Sequence, residues 1–218
     1  AVGDELPDAL DRHVGETAGG DPRRCVFAGV GKTDQEIDAA IKAGILFFNV
    51  ESEAELERIQ ELSVKQRRAV DVCLRVNPEV DPHTHQYIKT AKKESKFGLS
   101  FAAARQLMLH RERYFNVHIK GLHIHIGSQI TETRPYEEAI AKVLGFMKET
   151  GDLGVKFEYL NIGGGMGIVY NKETARTANM FAKAILPLVK NTGLKIILEP
   201  GRFIVGSAGV LVTKVIYV

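Results

Sequence analysis

A parallel α/β protein built on a (β/α) barrel is the fold class this sequence predicts, and three observations predict it. From residue 25 onward one unit recurs: a short β-branched run, a turn, then a stretch with helical spacing. Strand, helix, strand, helix requires parallel pairing with right-handed crossovers. Polar residues capable of chemistry stand at the carboxyl ends of most runs, which favours a barrel over an open doubly wound sheet. Against a complete (β/α)8 barrel the sequence reads as roughly two units short.

The expected strands are, in order, Cys25–Val30, Ile45–Val50, Val70–Val76, His118–Ile126, Phe157–Ile162 and Leu194–Glu199. Between the first two, Thr33-Asp34-Gln35-Glu36 reads as a capping box, with Ile37, Ala40 and Ile41 on one face and Gly44 as the stop. Ser52-Glu53-Ala54-Glu55 repeats the device before Leu56 and Ile59. Pro135 suits a first helical turn, and Tyr136, Ala139, Ile140, Val143, Leu144 and Met147 then trace one stripe ending at Gly151. A further helix is expected from about Thr174 to Lys190, kinked at Pro187. Two ends differ in kind. Residues 1–24 are dense in Asp, Glu, Gly and Pro, with Leu6, Ala9, Leu10 and Val14 hinting at a short helix. Beyond the barrel portion, 25–203, Ile204–Val205 and Val210–Val218 read as the first strands of a second, all-β element.

Composition excludes several function classes. With 29 Lys and Arg against 27 Asp and Glu, the net charge of +2 offers neither a basic nucleic-acid arm nor an acidic tail. A chain 44% hydrophobic and 26% charged is too apolar for disorder. No apolar run reaches the ~18 residues of a membrane helix, and Asp4, Glu5, Asp8 and Asp11 are the reverse of a signal peptide's basic start. Cys25 and Cys73 form no CxxC and are expected to be reduced core thiols of a cytoplasmic protein.

Strand alternation sorts the chemistry. If Val72, Leu74 and Val76 meet outer helices, Arg75 and Asn77 face the barrel interior. The same rule turns Leu122, Ile124 and Ile126 outward and His123 and His125 inward, and it turns Asn49, Glu51 and Asn161 inward. A polar ring of Asn49, Arg75, Asn77, His125, Asn161 and Glu199 results, at the end where barrel enzymes keep their chemistry. Gly163-Gly164-Gly165 follows a strand, and amides free of Cβ there suit a phosphate. His123-x-His125 with Ser128 suits either a metal or two hydrogen-bonded interior histidines. Glu199-Pro200-Gly201-Arg202 sets a carboxylate, a glycine and a guanidinium in one turn.

Read together, the motifs resemble a known family. Gly29-Val30-Gly31-Lys32-Thr33, Asn49-Val50-Glu51-Ser52, Leu74-Arg75-Val76-Asn77-Pro78 and Ser95-Lys96-Phe97-Gly98 occur in order. They continue with Gly121-Leu122-His123-Ile124-His125-Ile126-Gly127-Ser128-Gln129, Leu160-Asn161-Ile162-Gly163-Gly164-Gly165 and Glu199-Pro200-Gly201-Arg202. From about residue 26 onward the chain resembles diaminopimelate decarboxylases, pyridoxal-phosphate enzymes on an alanine-racemase-like barrel, which share several motifs with ornithine and arginine decarboxylases. The resemblance implies that His125 stacks on the pyridine ring and Glu199 pairs with its nitrogen. It implies that Ser128, Gly163, Gly164, Gly165 and Gly201 hold the phosphate, that Arg202 contacts phosphate or a substrate carboxylate, and that Arg75 supports the cofactor from beneath. The implied reaction is decarboxylation of meso-diaminopimelate to lysine and CO2, in a homodimer.

Departures from the family pattern shape the expectation further. No Tyr-Ala-x-Lys-Ala-Asn motif bearing the Schiff-base lysine is present, and Lys32 is not its equivalent. The family's C-terminal β-domain is represented only by its apparent start, and Thr90-Ala91 stands where Thr-Gly is usual. The chain is therefore expected to be inactive alone and, with open sheet edges, to self-associate. Two other classes are a metal-dependent barrel hydrolase using His123 and His125, and a non-catalytic homologue that keeps the cofactor-site residues.

Overall fold

The computed structural model describes residues 19–80, 97–170, 174–210, 212–215 and 217. The expected helix near Leu6–Val14 and the motif residues Ser95 and Lys96 lie outside the described residues.

All six expected strands form, each shorter than its apolar run: β1 Val26–Phe27, β2 Phe47–Val50, β3 Val70–Arg75, β4 Val117–His123, β5 Tyr159–Asn161 and β6 Lys195–Ile197. They make one sheet in the order β1-β2-β3-β4-β5-β6, and every pairing is parallel. The register aligns Val50, Leu74, Leu122, Leu160 and Ile196 as one outward row. Asn49, Cys73, Gly121, Tyr159 and Lys195 form the neighbouring inward row. The sheet is curled, because Asn49 of β2 hydrogen-bonds Glu199 just past β6 at 3.1 Å. In a flat sheet, strands four places apart lie about 19 Å from one another.

Helices cover the outward rows: α1 Asp34–Ala43, α2 Glu53–Gln66, α3 Phe101–Leu109, α4 Arg134–Glu149 and α5 Ala178–Val189. The Thr33–Glu36 capping box is complete, and Gly44 closes α1 in the left-handed region at φ 70°. Ser52 caps α2 through Glu55 N, while the Glu55 side chain reaches the Glu51 amide. Thr177 caps α5, which carries Pro187 inside it. The core lies between sheet and helices, joining Val50, Leu74, Leu122 and Leu160 to Ile37, Leu56, Met108, Ile140 and Phe181.

Strict alternation fails once. The β3–β4 register shifts between Val72 and Cys73, so that Val72 faces Ile119 while Cys73 faces Gly121. The bulge at Lys120 keeps both Ile119 and Leu122 in line with outward residues, and turns His123 inward beside Arg75. Gly121 is required there, because a Cβ would stand 2.4 Å from the Tyr159 carbonyl oxygen and 2.8 Å from Cys73 Sγ.

Two expectations are corrected. Ile204 and Val205 are not a strand but the end of a short helix, α6 Gly201–Val205, which runs across the expected boundary at 203/204. Ile204 N donates to Pro200 O and Gly206 N to Arg202 O, so local helical bonds override β-branched preference. Val210, Val212, Val215 and Tyr217 are exposed and form no strand among the described residues, where no strand lies alongside to bond them. Cys73 is buried as expected, whereas Cys25 is exposed rather than a core thiol; neither is in a disulfide.

Candidate functional site

One further inward row carries the site. Arg75, His123, Asn161 and Ile197 sit side by side on β3, β4, β5 and β6, and Glu199 follows Ile197 by two residues, on the same face. Asn161 Nδ2 donates to Glu199 Oε1 at 2.6 Å and Asn49 Nδ2 donates to the same oxygen at 3.1 Å. His123 Nε2 stands 3.6 Å from that oxygen. Three strands thus converge on one carboxylate at the carboxyl end of the sheet, as the ring of inward residues predicts.

Arg75 is held by Glu51, whose two oxygens accept from Nη1 at 2.6 and 2.8 Å, with both side chains nearly buried. Glu51 belongs with the site although the sequence reading gave it only an inward direction. The signal for it was present: opposite charges turned inward on neighbouring strands. Asn77 Oδ1 accepts from Glu79 N at 2.9 Å in a local turn.

The glycines are fixed by backbone approach. A Cβ on Gly163 would lie 2.3 Å from Ile124 O, on Gly164 2.1 Å from Glu199 O, and on Gly165 2.0 Å from Gly127 O. The loops after β4, β5 and β6 therefore pack backbone to backbone, which brings Ser128, the Gly163–Gly165 run and Gly201 to one corner. Tyr136 of α4, fully buried, anchors the run by donating its hydroxyl to Gly164 O at 2.8 Å. Burial raises that hydroxyl's pKa well above the ordinary phenol value. The amides are not equally free: Gly163 N donates to Asn161 Oδ1 and Gly164 N to His125 Nδ1. Among the described residues Gly165 N has no protein acceptor, Ser128 is exposed, and a Cβ on Gly201 would meet nothing within 4 Å. Arg202 lies on α6 with its guanidinium 5.9 Å from the Tyr170 ring centroid.

Both site histidines sit where the neutral form is favoured. Burial, then the Arg75 charge, holds His123 well below the ordinary imidazole range and His125 below it. Since Gly164 N–H can only donate, His125 Nδ1 is the bare nitrogen and Nε2 carries the proton. His123 Nδ1 is buried without a partner among the described residues. Both depressed values predict acid sensitivity. Below pH ~6.5 an unfolded chain takes up protons that the folded chain refuses, so stability is present above that pH and is lost as pH falls. Glu55 acts oppositely, because burial raises its carboxyl; its contribution appears only toward more acid pH. Urea unfolding at pH 7 and 5.5 is expected to show a lower midpoint at 5.5. His123→Gln should reduce the difference, and an unchanged difference contradicts the assignment.

Lys32 ends its loop inside rather than at the site mouth. Its side chain is 1% exposed, and its ammonium donates to Gly29 O at 2.7 Å, Asn49 O at 2.9 Å and Glu55 Oε1 at 2.6 Å. All three protons are committed, so Lys32 pins β1's end to β2 and α2 and offers no free amine. Among the described residues, no three His, Cys, Asp or Glu side chains gather as a metal would require.

A family model described as pyridoxal-dependent decarboxylase, pyridoxal binding domain, matches residues 10–206. The match begins inside the N-terminal segment that composition sets apart. Diaminopimelate decarboxylase of Aquifex aeolicus is 41% identical over 215 residues, 98% of this chain and 51% of that protein. The Neisseria meningitidis enzyme of that name is 42% identical over 92% of this chain and 50% of its own length. The chain thus spans about half the length of the curated relatives it matches. Among solved structures, diaminopimelate decarboxylase from Helicobacter pylori complexed with L-lysine superposes with a TM-score of 0.80 at 37% identity, covering 88% of this chain and 48% of that one. The arginine decarboxylase of Paramecium bursaria Chlorella virus, 24% identical with a TM-score of 0.70 over 90% of this chain and 50% of that one, shares the fold. The chain belongs to the pyridoxal-dependent decarboxylases, and it carries that family's pyridoxal-binding domain.

Proposed function

We propose that this chain is the cofactor-binding part of a decarboxylase that converts meso-diaminopimelate to lysine and CO2. The observation that carries the reading is the Glu199 carboxylate, held by Asn49 and Asn161 at the mouth of the curled sheet with Oε2 left without a protein donor among the described residues. Its surroundings fit pyridoxal phosphate. A pyridinium nitrogen takes one carboxylate oxygen, and a phosphate takes uncommitted donors, which Gly165 N and Ser128 supply beside the open space at Gly201. When bound, the cofactor supplies an electron sink for the charge released as CO2 leaves.

The chain's own residues then have separable tasks. Glu199 holds a proton at the ring nitrogen. His125, neutral and fixed by Gly164 N, offers a flat uncharged face to the ring. Ser128, Gly165 and Gly201 hold the phosphate, with Gly163 and Gly164 shaping the loop rather than donating to it. Arg202 meets phosphate or a substrate carboxylate, and Arg75, fixed by Glu51, supports the ring from below. The diaminopimelate substrate is supported by the Aquifex aeolicus and Neisseria meningitidis relatives of that name at 41% and 42% identity, against 24% for the arginine decarboxylase. A cytoplasmic homodimer is part of the same proposal. No helix among the described residues is long and apolar enough to cross a membrane.

The test is CO2 release by the polypeptide expressed from the gene containing this sequence, with meso-diaminopimelate, L-ornithine and L-arginine compared. Release from diaminopimelate alone is expected. Release from ornithine or arginine with none from diaminopimelate overturns the substrate assignment.

A further inference from the structure

Glu199 is bound asymmetrically, and the asymmetry has a traceable origin. Gly163 N–H can only donate, and it donates to Asn161 Oδ1 at 2.9 Å. That fixes which end of the Asn161 amide is which: Nδ2 must face Glu199 Oε1, 2.6 Å away, and Asn49 Oδ1, 3.4 Å away. Asn49, its oxygen turned to Asn161, presents its own Nδ2 to the same Oε1. Both asparagines are 0% exposed. His123 Nε2 stands 3.6 Å from the same oxygen. Among the described residues, both hydrogen bonds to this carboxylate therefore fall on one oxygen.

We propose that Asn49 and Asn161 are positioning residues for the cofactor ring: by clamping Oε1 of Glu199 between two amide donors, they leave Oε2 as the oxygen presented to the pyridine nitrogen. The inference rests on the pyridoxal-binding reading and deepens it. The chain of cause runs from the Gly163 amide through the Asn161 side chain to the Glu199 carboxylate. The glycine loop that borders the phosphate corner thus also sets the angle of the group that protonates the ring. Amide donors suit this task, since they stabilise the ionised carboxylate without adding a charge that would compete with the ring nitrogen for it.

Asn161→Asp separates this role from packing. The substitution is isosteric and keeps an acceptor for Gly163 N, but it replaces the donor facing Glu199 with a second carboxylate oxygen. Two carboxylates at that distance share a proton, and Glu199 no longer serves the ring. The polypeptide expressed from the gene containing this sequence is titrated with pyridoxal phosphate labelled with 15N in the ring, reading the ring-nitrogen chemical shift and the dissociation constant. The wild-type chain is expected to hold the ring nitrogen protonated. Asn161→Asp is expected to move its resonance to the unprotonated position and to weaken binding roughly ten- to a hundredfold, the scale of a hydrogen bond to a charged group. Asn49→Ala, which adds no charge, serves if the first variant does not fold; it is expected to shift both readouts in the same direction by less. Circular dichroism checks folding of each. If the folded variants bind the cofactor as the wild type does, with the ring nitrogen still protonated, the positioning role is wrong and the cofactor reading stands. A wild-type chain that leaves the added cofactor free overturns both.

Discussion

Replacing Glu51 with alanine is expected to cost about 3–5 kcal/mol of folding stability, a large fraction of what a domain possesses. The reason is the state in which Arg75 is left. Its side chain is only 10% exposed, and Glu51 is the carboxylate that both oxygens bring to Nη1. A buried carboxylate without its partner can take up a proton, but a guanidinium cannot lose one. Glu51→Ala therefore strands an obligate cation, with the Phe97 ring 5.7 Å from Arg75 Cζ as a poor substitute. Arg75→Met strands a group able to neutralise itself and should cost less, the gap narrowing as pH rises and protonation of Glu51 becomes harder. The double variant Glu51→Ala/Arg75→Met should recover most of the loss, since removing both charges removes the unmet desolvation. Urea unfolding of the four proteins measures the cycle. A loss below about 1 kcal/mol for Glu51→Ala would mean that water reaches the pair as it does at a surface.

The second large effect is expected at Gly164. A methyl group there would sit 2.1 Å from Glu199 O, a backbone atom that cannot swing aside as a flexible side chain does. The neighbouring bond from Glu199 N to Gly163 O, 2.8 Å, ties the same two loops together, so moving one moves Glu199. Gly164→Ala should cost about 1–3 kcal/mol of stability, the range for overpacking, and should abolish measurable pyridoxal phosphate binding. Gly145, inside α4, provides the contrast: its Cβ would meet nothing within 4 Å. Gly145→Ala should stabilise the chain by about 0.5–1 kcal/mol through helix propensity and leave the site unchanged. Equal effects of the two substitutions on cofactor binding would show that the Gly164 contact does not shape the site.

Strand order, parallel pairing and the inward polar ring were legible because period-two alternation and β-branched runs state which face each residue takes. Thr33, Ser52 and Gly44 marked helix ends because cap chemistry is local. What alternation could not supply is distance. It turned Asn49, Asn161 and Glu199 inward, yet only the curl of the sheet brings Asn49 of β2 to the same Glu199 oxygen that Asn161 of neighbouring β5 already binds. Glu51 was visible as an inward acid but gained its role only when Arg75 was found beside it. Helix α3 is weakly signalled because Arg105 and Gln106 are the only polar residues from Phe101 to Leu109, too few to mark a period. The strand expected at Ile204–Val205 failed for a related reason: β-branched residues favour strands only where a neighbouring strand can bond them. The glycine run pointed to a phosphate, but sequence gave no sign that Asn161 and His125 consume two of its three amides.

The most direct measurement is an equilibrium titration of the chain with pyridoxal phosphate, followed by borohydride reduction and peptide mapping, with Glu199→Ala beside the wild type. Saturable uptake at one site is expected, weakened by Glu199→Ala, with no reduced label at Lys32 because its ammonium is committed to Gly29, Asn49 and Glu55. Uptake indifferent to Glu199→Ala, a label fixed at Lys32, or no saturable uptake would contradict the site as described.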